Sequence, residues 1–267
     1  VLAAPAAAGV IDRPLVAAQV TGAFVVLCLL SSATYLVNDV RDLEQDRQHP
    51  RKRSRPLAAG EISPRAALRT AALLALVGVG AAIAITPALG LLACAYLVLT
   101  ASYSLLWRRI VVADILAIAG GFVLRAFAGG VATDIYLSRW FVIVTASCAV
   151  FLVTAKRYAE LRDDDGGRAA VRATLRRYSA ASLRLTLLAA ALVGGVAYVS
   201  WAFTRPAHIA WYALSIAPFL LWLARYATLV AAGAGQAPEE LILRDRTLLA
   251  LGAAWTFLFL GGVYVGH

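Results

Sequence analysis

Eight separate stretches of this chain stay apolar for roughly twenty residues each, and a soluble fold of this length cannot bury so many. They cover residues 15–37, 66–87, 88–107, 110–130, 140–155, 180–203, 210–230 and 247–265. An α-helix rises about 1.5 Å per residue, so about 20 apolar residues match the roughly 30 Å hydrocarbon core of a bilayer. Lipid offers no hydrogen bonds to the backbone, which leaves helices and closed barrels as the only spanning structures. A barrel strand needs about ten residues of alternating polarity, and these runs are longer and do not alternate. Residues 1–10 are too short to cross and are read as the end of a truncated first helix. The expectation is an all-α polytopic membrane protein, about nine transmembrane helices forming one domain over residues 1–267, with loops 38–65 and 156–179 carrying the chemistry. Composition agrees: 61% of residues are hydrophobic and 15% are charged. Cys28, Cys94 and Cys148 all sit inside apolar runs and the three histidines are scattered. Neither a disulfide framework nor a zinc site follows from them.

The loops between spans alternate sharply in charge. Segments 38–69, 108–109, 156–184 and 225–246 hold 21 of the 25 basic residues, whereas the opposite loops hold Arg13, Arg139 and Arg205. Cytoplasmic loops carry the excess of Lys and Arg, so the charged side is assigned to the cytoplasm. The same segments carry 12 of the 15 acids. Carboxylates contribute little to orientation, so their clustering points to a site. These loops carry nine of the ten net positive charges, and no nucleic-acid partner is read from them.

The first polar cluster closes the first long span. Asn38, Asp39, Asp42 and Asp46 form the pattern N-D-x-x-D-x-x-x-D. At 100° per residue, Asp42 lies about 60° from Asp39, Asp46 about 20° and Asn38 about 100°, so one helical face carries all four. Hard oxygen donors so gathered suit Mg²⁺, which takes one or two carboxylates and leaves its other positions to water and phosphate oxygens. Arg51, Lys52, Arg53 and Arg55 follow within nine residues of Asp46. Guanidinium groups grip phosphate bidentately and lysine acts as a point charge. An acidic face followed by a basic loop can therefore hold a metal-bound diphosphate from both sides. The basic run alone would equally serve as an ordinary topology anchor. His49, beside Pro50, reads as a turn residue.

The second cluster follows residue 155: Lys156, Arg157, Tyr158, Glu160 and Asp163–Asp165, then Gly166-Gly167. A helix here would put Lys156, Glu160 and Asp163 within about 60° of one another. The three aspartates before two glycines read as a solvated turn. Arg168, Arg172 and Arg176 recur every four residues, the pattern of an amphipathic helix lying along headgroups. Asp114 and Arg125 stand inside an apolar run, about 16 Å apart along one helix. They are too distant to pair directly, and each is expected to face the bundle or a cavity; Arg125 reads either as snorkelling outward or as bracing neighbouring helices. Gly129-Gly130 and Gly194-Gly195 read as points of close helix packing.

Taken together, these motifs resemble the UbiA-type intramembrane prenyltransferase superfamily. Tyr35 to Asp42, Lys52 to Gly60 and Lys156 to Leu161 look more narrowly like its decaprenyl-phosphate phosphoribosyltransferase branch. Arg125 to Thr133, Leu137 to Phe141 and Leu243 to Arg246 extend that likeness over nearly the whole chain. The resemblance implies transfer of 5-phosphoribose from phosphoribosyl pyrophosphate (PRPP) to a polyprenyl (decaprenyl) phosphate with release of pyrophosphate, feeding arabinose donors of the bacterial cell wall. It also implies a bundle around a lipid-accessible cavity, Mg²⁺ dependence, a homotrimer and a multi-pass place in the plasma membrane. Asp39, Asp42, Asp46 and Lys52 would be catalytic, with Asn38 and the three aspartates on the metal. Arg53, Arg55, Lys156, Arg157, Tyr158 and Glu160 would bind the donor. One departure stands out: the superfamily's second D-x-x-x-D pair is replaced here by Glu160 and Asp164, which argues against a second metal on that face.

Two other readings are open. A prenyltransferase moving an isoprenoid from its diphosphate to an aromatic, quinone-type acceptor would use the same acidic face, but the Lys156-Arg157 pair suits an additional phosphate better. A transporter or lipid-binding membrane protein would show broken helices with polar residues at the midplane, whereas here the carboxylates collect at one surface. Soluble phosphoribosyltransferases use a Rossmann-like βα loop, and none is visible.

Overall fold

The computed structural model describes residues 1–50, 52–107, 110–163, 178–204, 209–235 and 237–265. Among them there are helices and no strands. Among the described residues eight helical segments are long and apolar enough to cross a membrane: α2 (Pro14–Arg41), α4 (Pro64–Ile85), α5 (Pro87–Ser102) continued by a π-helical stretch to Trp107, α6 (Val111–Ala132), α7 (Arg139–Asp163), α8 (Ala180–Ala202), α9 (Ile209–Ala231) and α11 (Arg246–Tyr264). The protein is thus an all-helical, multi-pass membrane protein. The short helices are α1 (Ala3–Ala7), in the stretch read as a truncated span, α3 (Leu43–Gln48) and α10 (Pro238–Arg244). The stripe Arg168, Arg172, Arg176 and the turn at Asp164 to Gly167 lie outside the described residues.

Each apolar run became one helical segment, but two helices overshoot the ends of their runs by a full turn or more. The hydrophobic reading ends the first at residue 37 and the fifth at 155, whereas α2 continues to Arg41 and α7 to Asp163. Backbone bonding does not stop where apolarity does, because charged side chains are compatible with a helix that has emerged into water. Elsewhere sequence chemistry sets the ends. Ser63 and Thr86 accept the N–H of Ala66 and Leu89 as N-caps of α4 and α5, each followed by Pro at the first helical position. Asp245 caps α11 through Leu248 N–H at 2.8 Å.

The chain divides into two compact units. The first comprises residues 1–5, 11–105 and 124–136. In it α2 packs on α4 and α5 around Val26, Leu27, Leu30, Leu89, Tyr96 and Ala128. The second comprises residues 6–10, 106–123 and 137–267. There α7, α8, α9 and α11 pack around Phe151, Leu187, Leu223, Tyr226 and Leu248, with Ile115 and Ala119 of α6 meeting Val153 and Leu183. Of the glycine pairs singled out above, Gly194 backs onto Ser147 of α7 and Gly195 onto Leu220 of α9, the close packing expected of them. Leu76, Leu91, Leu185, Leu192 and Phe257 are strongly exposed, as side chains facing lipid should be.

Candidate functional site

In the first unit the polar cluster sits where α2 gives way to α3. Asp42 joins the two helices with φ −91° and ψ 8°. Helix-type hydrogen bonds nevertheless continue through the joint, from Asp42 N–H to the Asn38 carbonyl and from Asp46 N–H to the Asp42 carbonyl, both 2.9 Å. That continuity keeps Asp39 and Asp46 facing the same point, and the point holds Arg55. Its Nη1 donates to Asp39 Oδ1 and to Asp46 Oδ2, each at 2.8 Å. Lys52 Nζ stands 3.5 Å from the other oxygen of Asp46.

Burial ranks these groups. The Asp46 side chain is 5% exposed against 33% for Asp39 and 44% for Arg55. A buried carboxylate is tolerated only if paired and hydrogen-bonded, and Asp46 has two cations. Asn38 is turned to a different partner, its Oδ1 accepting the Ser104 hydroxyl at 2.6 Å. Ser104 is buried within a single π-helical stretch, Tyr103–Trp107, at the end of α5, a local widening of the helix often found at functional sites. His49 Nδ1 accepts the Lys52 N–H at 3.3 Å, which holds the one-turn helix Lys52–Ser54; it is a turn residue, as read from sequence. Arg53 is exposed. Among the described residues no three His, Cys, Asp or Glu side chains converge closely enough to ligate one ion. Two of them, Asp39 and Asp46, do converge on one cationic nitrogen, and one or two carboxylates are what a Mg²⁺ ion takes from protein when water and phosphate oxygens supply the rest.

In the second unit the end of α7 carries the other cluster. Lys156 is exposed and Tyr158 half-buried, whereas the Arg157 side chain is 4% exposed. Its Nε and Nη2 donate to Asp114 Oδ2 and Oδ1 at 2.6 and 3.1 Å. Its Nη1 donates to Glu160 Oε2 at 2.6 Å. The Tyr178 hydroxyl adds a third hydrogen bond to Asp114, at 3.0 Å. Sequence reading assigned Arg157 and Glu160 to substrate; in the structure they also belong to a hydrogen-bonded network with Asp114 and Tyr178. It missed Tyr178 altogether. A lone carboxylate in an apolar run was the available signal for Asp114, and it did not name the partner.

Arg125 of α6 braces neighbouring helices of the first unit. Its Nη2 donates to the Tyr96 hydroxyl at 2.6 Å and lies 3.4 Å from Ser31 Oγ.

A model of the UbiA prenyltransferase family matches residues 1–251 of the chain. Decaprenyl-phosphate phosphoribosyltransferase of Mycobacterium tuberculosis is 42% identical over 96% of this chain and 86% of its own length. The enzyme of the same description from Corynebacterium glutamicum is 40% identical over 99% of this chain and 82% of its own. Among solved structures, a UbiA homolog from Archaeoglobus fulgidus bound to DMAPP and Mg²⁺ superposes with a TM-score of 0.70 at 15% identity, covering 92% of this chain and 86% of that one.

Proposed function

The chain belongs to the UbiA prenyltransferase family, and from that premise we propose that it is a decaprenyl-phosphate phosphoribosyltransferase. It transfers 5-phosphoribose from PRPP to a polyprenyl phosphate and releases pyrophosphate. The observation that carries this reading is the near full-length similarity, at about 40% identity, to curated enzymes of that description. The acidic and basic cluster has the chemistry that the reaction asks for.

Asp39 and Asp46, aimed at one cation, are the proposed Mg²⁺ ligands, with Asn38 and Asp42 of the same face beside them. Bound there, the ion would supply Lewis-acid stabilisation of charge on the departing diphosphate. Lys52, Arg53 and Arg55 stabilise the same charge from the loop, as donors fixed in advance toward the place where charge develops. The bond from the anomeric carbon to the pyrophosphate oxygen breaks and its electron pair leaves with the pyrophosphate. A bond from that carbon to an acceptor phosphate oxygen forms on the opposite face. The acceptor is a phosphate monoester, already ionised near neutral pH, so no strong general base is needed. In the second unit, Lys156 and Tyr158 are assigned to a donor phosphate. Arg157, held by Asp114, is assigned to a phosphate as well, and Glu160 to a hydroxyl or a basic partner. The charge asymmetry of the loops supports a cytoplasmic site in a bacterial plasma membrane, and a homotrimer is proposed by likeness to the family.

The test is transfer of label from radiolabelled PRPP into the organic phase by purified protein in detergent with decaprenyl phosphate. Mg²⁺-dependent transfer that EDTA abolishes is the expected result. Activity appearing instead from a prenyl diphosphate and an aromatic acceptor would move the chain to the quinone-type branch.

A further inference from the structure

The nitrogen lying between Asp39 and Asp46 belongs to a residue that the reaction needs elsewhere. Arg55 is one of the loop cations assigned to the diphosphate, yet its Nη1 donates at 2.8 Å to both carboxylates, and Lys52 Nζ lies 3.5 Å from Asp46. We propose that Arg55 and Lys52 are resident counterions of the acidic cluster, which they leave when a divalent cation binds and which frees them to grip the diphosphate. The proposal rests on the reading of Asp39 and Asp46 as the metal ligands.

Three features of the cluster support exchange over a fixed brace. The Asp46 side chain is 5% exposed, and a carboxylate so desolvated is costly without a compensating charge. A cation must therefore be present before any metal arrives, and these two side chains supply it. Next, the charges match. Arg55 and Lys52 together bring two positive charges to the carboxylates, the same as one divalent ion, so the swap leaves the carboxylates neutralised while delivering both charges to the phosphates. Finally, the moving parts are the right ones. Asp39 and Asp46 have short side chains fixed on α2 and α3. Arg55 and Lys52 are long, lie at least one-third exposed (44% and 38%), and reach in from the loop, so they can swing through water at little cost.

The consequence is a coupling between the two ligands beyond their direct contact. Metal alone must displace Arg55, and diphosphate alone must compete with the aspartates for it. Bound together, each removes the other's competitor, and by linkage each tightens the other by the same factor.

The experiment titrates Mn²⁺, read by its electron paramagnetic resonance signal, into the full chain in detergent, with and without inorganic pyrophosphate. It compares the native protein with Arg55→Gln, Arg55→Lys and the double variant Asp39→Asn/Asp46→Asn, and records the thermal unfolding of each. Pyrophosphate should tighten Mn²⁺ binding to the native protein about fivefold or more, the lower end of ordinary coupling between sites. Arg55→Gln should bind Mn²⁺ alone about fivefold more tightly than the native protein and gain less from pyrophosphate, whereas Arg55→Lys stays near the native value. The metal-free Arg55→Gln protein should melt lower and be restored by Mn²⁺. Unchanged or weaker Mn²⁺ binding by Arg55→Gln, or a lowered melting point that Mn²⁺ does not restore, would make Arg55 a brace and overturn the exchange. No Mn²⁺ binding to the native protein under either condition would remove the metal reading itself, and the exchange with it.

Discussion

Asp114 of α6 holds Arg157 of α7 through two hydrogen bonds, Nε to Oδ2 at 2.6 Å and Nη2 to Oδ1 at 3.1 Å, with both side chains at most 5% exposed. The pair is bidentate and desolvated, and Glu160 and Tyr178 complete it. Removing one partner of such a pair leaves an uncompensated buried charge, at a cost of about 3–5 kcal/mol. Asp114→Ala and Arg157→Ala should each lower the melting temperature in detergent strongly. Arg157→Lys should not rescue, because an ammonium lacks the fork. The double variant Asp114→Leu/Arg157→Met should be milder than either single change; if the losses simply add, the two residues do not act as a pair.

At the acidic face, Asp39→Asn and Asp46→Asn keep shape and remove charge. Each should reduce turnover by about 10²–10³ or more, the cost of losing one preorganised electrostatic contact at a reacting group. Circular dichroism should show the helices intact. Native turnover in Asp46→Asn would exclude it from the site.

Lys156, exposed at the end of α7, is assigned to a donor phosphate. Lys156→Ala should raise the KM for PRPP with a smaller change in kcat, the signature of binding lost equally from ground and transition states. A kcat loss at unchanged KM would give it a role in the chemical step.

Arg125 Nη2 donates to the Tyr96 hydroxyl at 2.6 Å. Tyr96→Phe keeps the ring and its cation contact, 5.2 Å from guanidinium to centroid, but removes the hydroxyl. Loss of this acceptor from a half-buried charged donor should cost about 1 kcal/mol. Ser31→Ala, whose oxygen lies at 3.4 Å, should cost less, and the order of the two melting points checks the assignment.

Asp245 accepts from Arg225 at 2.7 Å and caps α11 through Leu248 N–H. These hydrogen bonds hold its carboxyl below the ordinary value of 3.8. A carboxyl depressed in the folded state contributes stability that is fully present above its unfolded value and lost as pH falls through the folded one. Asp245→Asn should therefore flatten the part of the acid melting curve below about pH 4. A curve identical to that of the native protein would show that the contact does not contribute.

How far these residues could be read in advance depended on the range of the interaction. The eight spans and the shared face of Asp39 and Asp46 follow from local periodicity, and the caps at Ser63, Thr86 and Asp245 follow from side chains one turn from the amides they bind. Arg157 shows the limit. Its sequence neighbours suggested a grip on phosphate and gave no sign of Asp114, 43 residues away on another helix, to which it donates.

The chain by itself determined that it is a helical membrane protein, where its helices run and which surface gathers its acids and bases, because runs of about 20 apolar residues and positive-inside charge act through the bilayer without reference to any fold. Only the tertiary structure decided which polar groups meet: Arg55 between Asp39 and Asp46, Arg157 on Asp114, Arg125 on the Tyr96 hydroxyl. Those pairings depend on the rotation and depth at which helices pack. A shift of one residue turns a helical side chain by 100°, which is enough to replace one partner with another.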